Sequence, residues 1–364
     1  MTLGFTSVKF SNFRNLAEQE INLSHKEIFL IGENGQGKTN FLEMLYFLCY
    51  ASSFRIRNDK ILIREGEDNF YLSGQFLHSS DLISNRLDVS FDSHNKKIRL
   101  NGKNVADRKD ILSNMPCIVF CHNDMYFVNG SPEKKRIYMD QCLSLHDPLY
   151  INYLRQYRKI LKERNFLLKN KEKSMLPVYT EQLIDKGFSL LEKRKSLVEF
   201  LNNSFSSYYS QVSGTDVSLH ISYNRSWKDD DKGKIRETML KKTEKEFQYG
   251  LTLSGPHRDS FSVMLGNNNF LDMASTGQLR IISLLLRILQ SEYYQMATGK
   301  NPVLLVDDVL LELDSEKRKR MMDIFPQYEQ IFYTFLPGYL KDKKENSLYL
   351  RVKEGILENF DGES

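Results

Sequence analysis

Nowhere in the 364 residues do 18 apolar side chains follow one another, which excludes a helix that spans a bilayer. The stretch Met1 to Phe10 has no basic region leading into an apolar one, so it does not read as an export leader. Cysteine is scarce. The four, Cys49, Cys117, Cys121 and Cys142, lie in apolar segments, as expected of reduced core thiols in a cytoplasmic protein. Cys117, Cys121 and His122 raise zinc, but no second pair follows at ligand spacing, and Cys117–Cys121 has the look of a buried strand. A strong charge of one sign is also missing: 51 basic against 47 acidic residues leave +4, so any nucleic-acid surface must be local. Internal repeats and low-complexity linkers are absent. A hydrophobic content of 41% excludes wholesale disorder, and the length allows two or three domains or one large core with an inserted lobe.

What the chain does have is Gly32-Glu33-Asn34-Gly35-Gln36-Gly37-Lys38-Thr39. An apolar strand, Ile28–Ile31, precedes it, and an apolar-faced helix from Asn40 follows, which is the context a phosphate-binding P-loop requires. Its glycines let successive N–H groups turn toward phosphate oxygens, and the helix N-terminus adds partial positive charge. Lys38 is expected to reach the β- and γ-phosphates of ATP, and the Thr39 hydroxyl to ligate Mg²⁺. A second apolar strand, Pro302–Val306, ends in Asp307 and Asp308, the form of a Walker B strand. Asp307 is the expected metal residue and Asp308 the expected catalytic one, orienting the attacking water. Between these motifs, Ser275-Thr276-Gly277-Gln278 opens an apolar helix, a second helix N-terminus suited to an anion, although an ordinary cap would look similar.

Elsewhere the pattern alternates between strands and helices. Thr6–Phe10, Phe70–Phe76, Arg86–Phe91 and Lys97–Leu100 are strand-like, and Asn101-Gly102 signals a type I′ hairpin. Ser131 and Pro132 start a mostly helical region that runs to about Tyr209, with Pro177 expected to break it. One helix there is basic, with Arg155, Arg158, Lys159, Lys162, Arg164 and Lys169. It is either a solvated face or a stripe that contacts DNA phosphates, with Arg155, Lys159, Lys162 and Lys169 the candidates.

Taken in order, these stretches resemble the RecF family, DNA replication and repair ATPases of the SMC-like ABC class. Asn12–Asn15, Ser53-Phe54-Arg55, Gly130–Glu133 and Gly255-Pro256-His257-Arg258-Asp259 carry the likeness together with the motifs above and Glu312-Leu313-Asp314. The resemblance implies an α/β fold: an ABC-type P-loop ATPase head with an antiparallel β layer and an inserted helical lobe. The expected head spans residues 1–130 and 250–364, and the lobe 131–249. It further implies weak DNA-stimulated ATP hydrolysis, Mg²⁺ and an ATP-dependent homodimer in which Ser275, Gly277 and Gln278 complete the partner's nucleotide site. Duplex DNA at single-strand gaps, RecO- and RecR-type partners and a place in the DNA damage and SOS response follow from it as well. Two departures stand out: Leu311 precedes Glu312-Leu313-Asp314 where the family usually has Ser, and the strand Gln330–Thr334 ends without the usual switch His. An SMC-like DNA clamp that holds ATP without turnover, or an ATPase partnered with a nuclease, remains the competing expectation.

Overall fold

The computed structural model describes residues 4–77, 83–112, 114–338 and 344–360. The outermost residues of the expected head, 1–3 and 361–364, lie outside these. Packing divides the chain into two units, Met1–Asp124 with Gln290–Ser364, and Met125–Leu289.

The first part of the ATPase unit runs β1 (Gly4–Ser11), β2 (Gln19–Asn22), β3 (Glu27–Ile31), α1 (Lys38–Tyr50), β4 (Asn69–Leu77), β5 (Ser84–Asp92), β6 (Asn95–Leu100), β7 (Lys103–Asn104), α2 (Lys109–Leu112) and β8 (Cys117–Phe120). The helical unit follows with α3 (Met125–Asn129), α4 (Pro132–Ser144), α5 (Pro148–Lys169), α6 (Leu176–Ser213), β9 (Leu219–Asn224), α7 (Lys232–Tyr249), β10 (Ser260–Leu265), β11 (Asn268–Asn269) and the start of α8 (Thr276–Thr298). The chain then returns to the ATPase unit for β12 (Val303–Val306), α9 (Ser315–Asp323), β13 (Gln330–Phe335), β14 (Leu348–Lys353) and β15 (Ile356–Asn359).

Two six-stranded sheets build the ATPase unit. One is antiparallel, in the order β2-β1-β4-β5-β6-β7. Its β6–β7 hairpin turns at Asn101 and Gly102, with φ of 50° and 79°, the two left-handed residues that a type I′ turn demands. The other runs β15-β14-β3-β13-β12-β8, all parallel except β15. Strand β12 reads Val-Leu-Leu-Val and is buried throughout, as a parallel strand covered on both faces should be. Helix α1 packs on strands of both sheets. Its Phe41 meets Phe10 edge-on at 6.0 Å, and Phe47 meets Phe70 at 5.4 Å. The helix is therefore apolar nearly all round, as a helix between two layers must be. The four cysteines are buried and form no disulfide.

In the helical unit, α5 and α6 form an antiparallel pair closed by Leu167, Leu168 and Leu176. The run breaks between two helices, as the sequence suggested, but a few residues before Pro177. Pro177 itself sits in the first turn of α6, where its missing N–H has no partner to lose, and the break lies at 170–175. The unit also takes in residues 250–289, which the sequence reading grouped with the head. Strand β10 pairs with β9, and the Asp259 carboxylate accepts from the Ser226 N–H at 2.7 Å, so this stretch is tied to the lobe. Among the described residues no helix is long and apolar enough to cross a membrane.

Candidate nucleotide site

The parallel sheet sets the site. Strands β3 and β12 end in the two motifs and flank β13 in parallel, so the residues that follow them emerge at the carboxyl end of the sheet, one strand apart. This is where ligands bind in open α/β sheets. The Thr39 hydroxyl donates to Asp307 Oδ1 at 2.7 Å and joins motifs 268 residues apart. Burial pushes the Asp307 carboxyl up to about 6; the neighbouring Asp308 charge adds to this and the Thr39 hydrogen bond opposes it.

Residues 32–37 form a loop whose tip, Glu33, Asn34 and Gly35, is exposed. Gly37 has a φ of 118° and leads directly into α1. A turn from the far end of the chain pins the loop: Gln36 Oε1 accepts from the Glu354 N–H at 2.7 Å, and its carbonyl from Gly355 N–H at 2.9 Å. A Cβ at Gly355 would lie 1.9 Å from the Asn15 carbonyl oxygen, so only glycine fits there. Lys38 is 4% exposed. Its ammonium donates to the carbonyls of Gly32 at 2.6 Å and Glu33 at 3.1 Å, with Asp308 Oδ2 at 3.9 Å. A buried cation is thus held against the carbonyls of the loop's own first residues.

Asp308 has a φ of 53°, a left-handed conformation that costs a non-glycine residue about 1–2 kcal/mol. Thr334 on β13 holds it there. Its hydroxyl accepts from the Asp308 N–H at 2.7 Å and donates to Asp308 Oδ1 at 2.7 Å. Thr334 thus grips Asp308 from the strand where a switch His is usual, a hold that the sequence left open.

Sequence reasoning missed Glu43. This wholly buried carboxylate on α1 takes Arg14 through Nε at 3.0 Å and Nη2 at 3.3 Å, Arg55 at 3.4 Å and the Ser53 hydroxyl. The Asn12–Asn15 and Ser53–Arg55 stretches therefore converge on the helix that carries the P-loop. The available signal was a lone acid inside the apolar run Phe41-Leu42-Glu43-Met44-Leu45.

The remaining candidates lie in the helical unit. Ser275 and Gln278 form a reciprocal capping box: Gln278 N–H donates to the Ser275 hydroxyl at 3.3 Å, and Ser275 N–H to Gln278 Oε1 at 2.8 Å. Ser275, Thr276 and Gly277 are exposed at the start of α8. On α5, Arg155, Lys159, Lys162 and Lys169 are all exposed and lie in one stripe. Arg164, counted with them in the basic helix, faces inward at 1% exposure and binds Glu246 at 2.6 Å, and Arg158 pairs with Asp140 at 3.2 Å.

Residues 5–349 match the model of the RecF/RecN/SMC N-terminal domain. A DNA replication and repair protein RecF of Treponema pallidum is 40% identical over 352 residues, covering 94% of this chain and 98% of the relative. The solved recombination mediator RecF-ATP of the RecFOR pathway superposes with a TM-score of 0.89 at 28% identity, covering 99% of this chain and 98% of that one. A SmcHead bound to the C-winged helix domain of ScpA shares the fold at a TM-score of 0.58 and 13% identity, covering 98% of each chain.

Proposed function

The chain belongs to the RecF family of DNA replication and repair proteins, and on that premise we propose that it is an ATP-dependent DNA-binding ATPase that pairs two copies around two nucleotides. The Thr39–Asp307 contact at 2.7 Å carries this reading, because two motifs remote in sequence meet there as one site. The loop N–H groups and the first turn of α1 receive the phosphates. Lys38 exchanges neutral carbonyls for β- and γ-phosphate oxygens, a stronger charge-assisted contact. Thr39 and Asp307 offer the hard oxygen donors that suit Mg²⁺, which when bound neutralises charge on the phosphates. Asp308, held by Thr334, orients and deprotonates the attacking water. DNA stimulates this weak hydrolysis.

A P-loop alone leaves one side of the triphosphate open to water. The Ser275–Gln278 turn presents hydroxyl and N–H donors at a helix N-terminus. In a two-fold pair each turn meets the partner's nucleotide, so both sites close together. The protein then binds duplex DNA at single-strand gaps in the cytoplasm and works with RecO- and RecR-type partners to load recombinase. A second reading, a clamp that holds ATP without turnover, draws on Asp308 standing where a longer catalytic Glu is usual. Phosphate release with and without duplex DNA separates the two.

Sedimentation with a non-hydrolysable ATP analogue tests the shared site. The parent is expected to be monomeric alone and dimeric with the analogue, since a ligand bound by the pair shifts the equilibrium by mass action. Ser275→Arg is expected to bind the analogue and stay monomeric. A parent that remains monomeric with the analogue bound, or a variant that dimerises equally well, overturns the shared site.

A further inference from the structure

Helix α5 presents one stripe at positions 155, 159, 162, 166 and 169, whose steps of four and three keep the side chains on a single face. Four are basic, one is Phe166, and none is acidic. Among the described residues Lys159, Lys162 and Lys169 make no ion pair, so their charge is available to a partner. Phe166 stands among them 58% exposed. Lys162 and Lys169 lie about 10 Å apart along the helix axis with this ring between them.

The turn that ends α7 adds a second ring. A Cβ on Gly250 would approach the Lys169 Cα to 3.4 Å, and Asn165 Oδ1 accepts from the Thr252 N–H at 2.8 Å, so residues 249–252 lie along the end of α5. Gly250 caps α7 with a φ of 64°, and the residues on either side point outward: Tyr249 is 69% exposed and Leu251 47%. Tyr249 is the most exposed large apolar side chain among the described residues.

Exposed rings interleaved with unpaired lysines fit one kind of partner. The cores of protein–protein interfaces are enriched in aromatics but depleted in lysine. Sites for single-stranded nucleic acid combine both: cations follow the phosphates, and rings stack on bases whatever their identity. A duplex offers such rings little beyond its two end pairs, because its interior bases are already stacked on both faces. We propose that Phe166 and Tyr249 form a stacking platform for unpaired bases, by which the helical unit engages the single-stranded side of a gapped duplex while Lys162 and Lys169 hold the flanking phosphates. This rests on the DNA-binding reading above and assigns the part that distinguishes a gap from plain duplex.

Fluorescence anisotropy with a labelled blunt duplex and the same duplex carrying a single-stranded gap tests it, with the ATP analogue present. The Phe166→Ala, Tyr249→Ala double variant is expected to lose at least about tenfold in affinity for the gapped DNA, the effect of losing a base stack. Its affinity for blunt duplex should stay within about twofold and its salt slope should not change, since every phosphate-binding cation is still present. Phe166→Trp with Tyr249→Trp should retain the preference for gaps. Both side chains face water, so the melting temperature serves as the control for folding. Equal losses on both DNAs, or no loss on either, overturn the platform. Loss of a RecR-type protein partner with DNA affinity unchanged also overturns it and makes the patch a protein-docking face. A parent that binds neither DNA overturns the DNA-binding reading itself, whereas a parent that binds both with unaffected variants overturns the platform alone.

Discussion

Arg164 and Arg194 in the helical unit and Lys38 in the ATPase unit are all nearly inaccessible to water, yet they are satisfied in different ways. Arg164 spreads its guanidinium over Thr180 at 3.0 Å, Thr252 at 2.8 Å and the Glu246 carboxylate at 2.6 Å. Arg194 reaches Tyr150 at 3.2 Å, the Pro256 carbonyl at 2.8 Å and Asp140 at 2.8 Å. Each cation has a carboxylate in direct contact and donors left over for neutral acceptors. Lys38 has only carbonyls in direct contact, and its nearest carboxylate is 3.9 Å away. A closed network holds a fold together, whereas a buried cation short of an anion is a place for one to arrive. Gly255–Asp259 illustrates the difference. This stretch identifies the family well, yet Asp259 is wholly buried beside Arg194 and serves packing rather than chemistry.

The contrast breaks most directly on Arg194→Ala against Lys38→Met. Removing Arg194 leaves Asp259 buried without its cation and Asp140 with Arg158 alone, and should cost about 3–5 kcal/mol in equilibrium urea unfolding. Lys38→Met should cost less, about 1–3 kcal/mol, because it leaves the Gly32 and Glu33 carbonyls without their donor and gives up a long contact with Asp308, but it should no longer bind ATP. A neutral Arg194→Ala, or a Lys38→Met protein that binds ATP like the parent, removes the distinction.

Within the ATPase unit, Asp308→Asn should keep ATP binding and lower turnover about a hundredfold, since an amide accepts no proton. Unchanged phosphate release would move the catalytic carboxylate elsewhere, with Glu312 next. Helix α5 has both kinds of charge on its two faces. Replacing the outward Lys159, Lys162 and Lys169 with Glu should weaken DNA binding whatever the base sequence. It should flatten the salt dependence of log K by about one unit for each phosphate that is no longer neutralised. Identical slopes return that face to plain solvation.

The last effect is on pH. Burial holds the His257 imidazole down to about 4 against its usual 6.5, with Arg258, Arg136 and Arg164 adding to the shift and the Thr252 carbonyl opposing it. As pH falls through this window the unfolded chain takes up a proton that the fold refuses. Stability should therefore decline from pH 6.5 toward 4, by at most about 1.4 kcal/mol per pH unit. His257→Gln should show a smaller difference between urea midpoints measured at about pH 7 and about pH 4.5. Equal differences would assign the acid sensitivity to other groups.

The sequence by itself determined the P-loop, the Walker B strand, the Ser275 cap and the Asn101-Gly102 hairpin. Each depends on consecutive residues, whose φ preferences and apolar runs dictate strand, turn or helix locally. Tertiary structure alone decided that Glu43 gathers Arg14 and Arg55, that Thr334 grips Asp308, and that Arg164 turns inward while Lys159 faces water. It also decided that residues 250–289 belong to the helical unit. The physical reason is that a polar group taken out of water needs a hydrogen-bonding partner, and these partners stand 29, 26 and 82 positions away, brought together by the order of strands and the pairing of helices rather than by any local pattern.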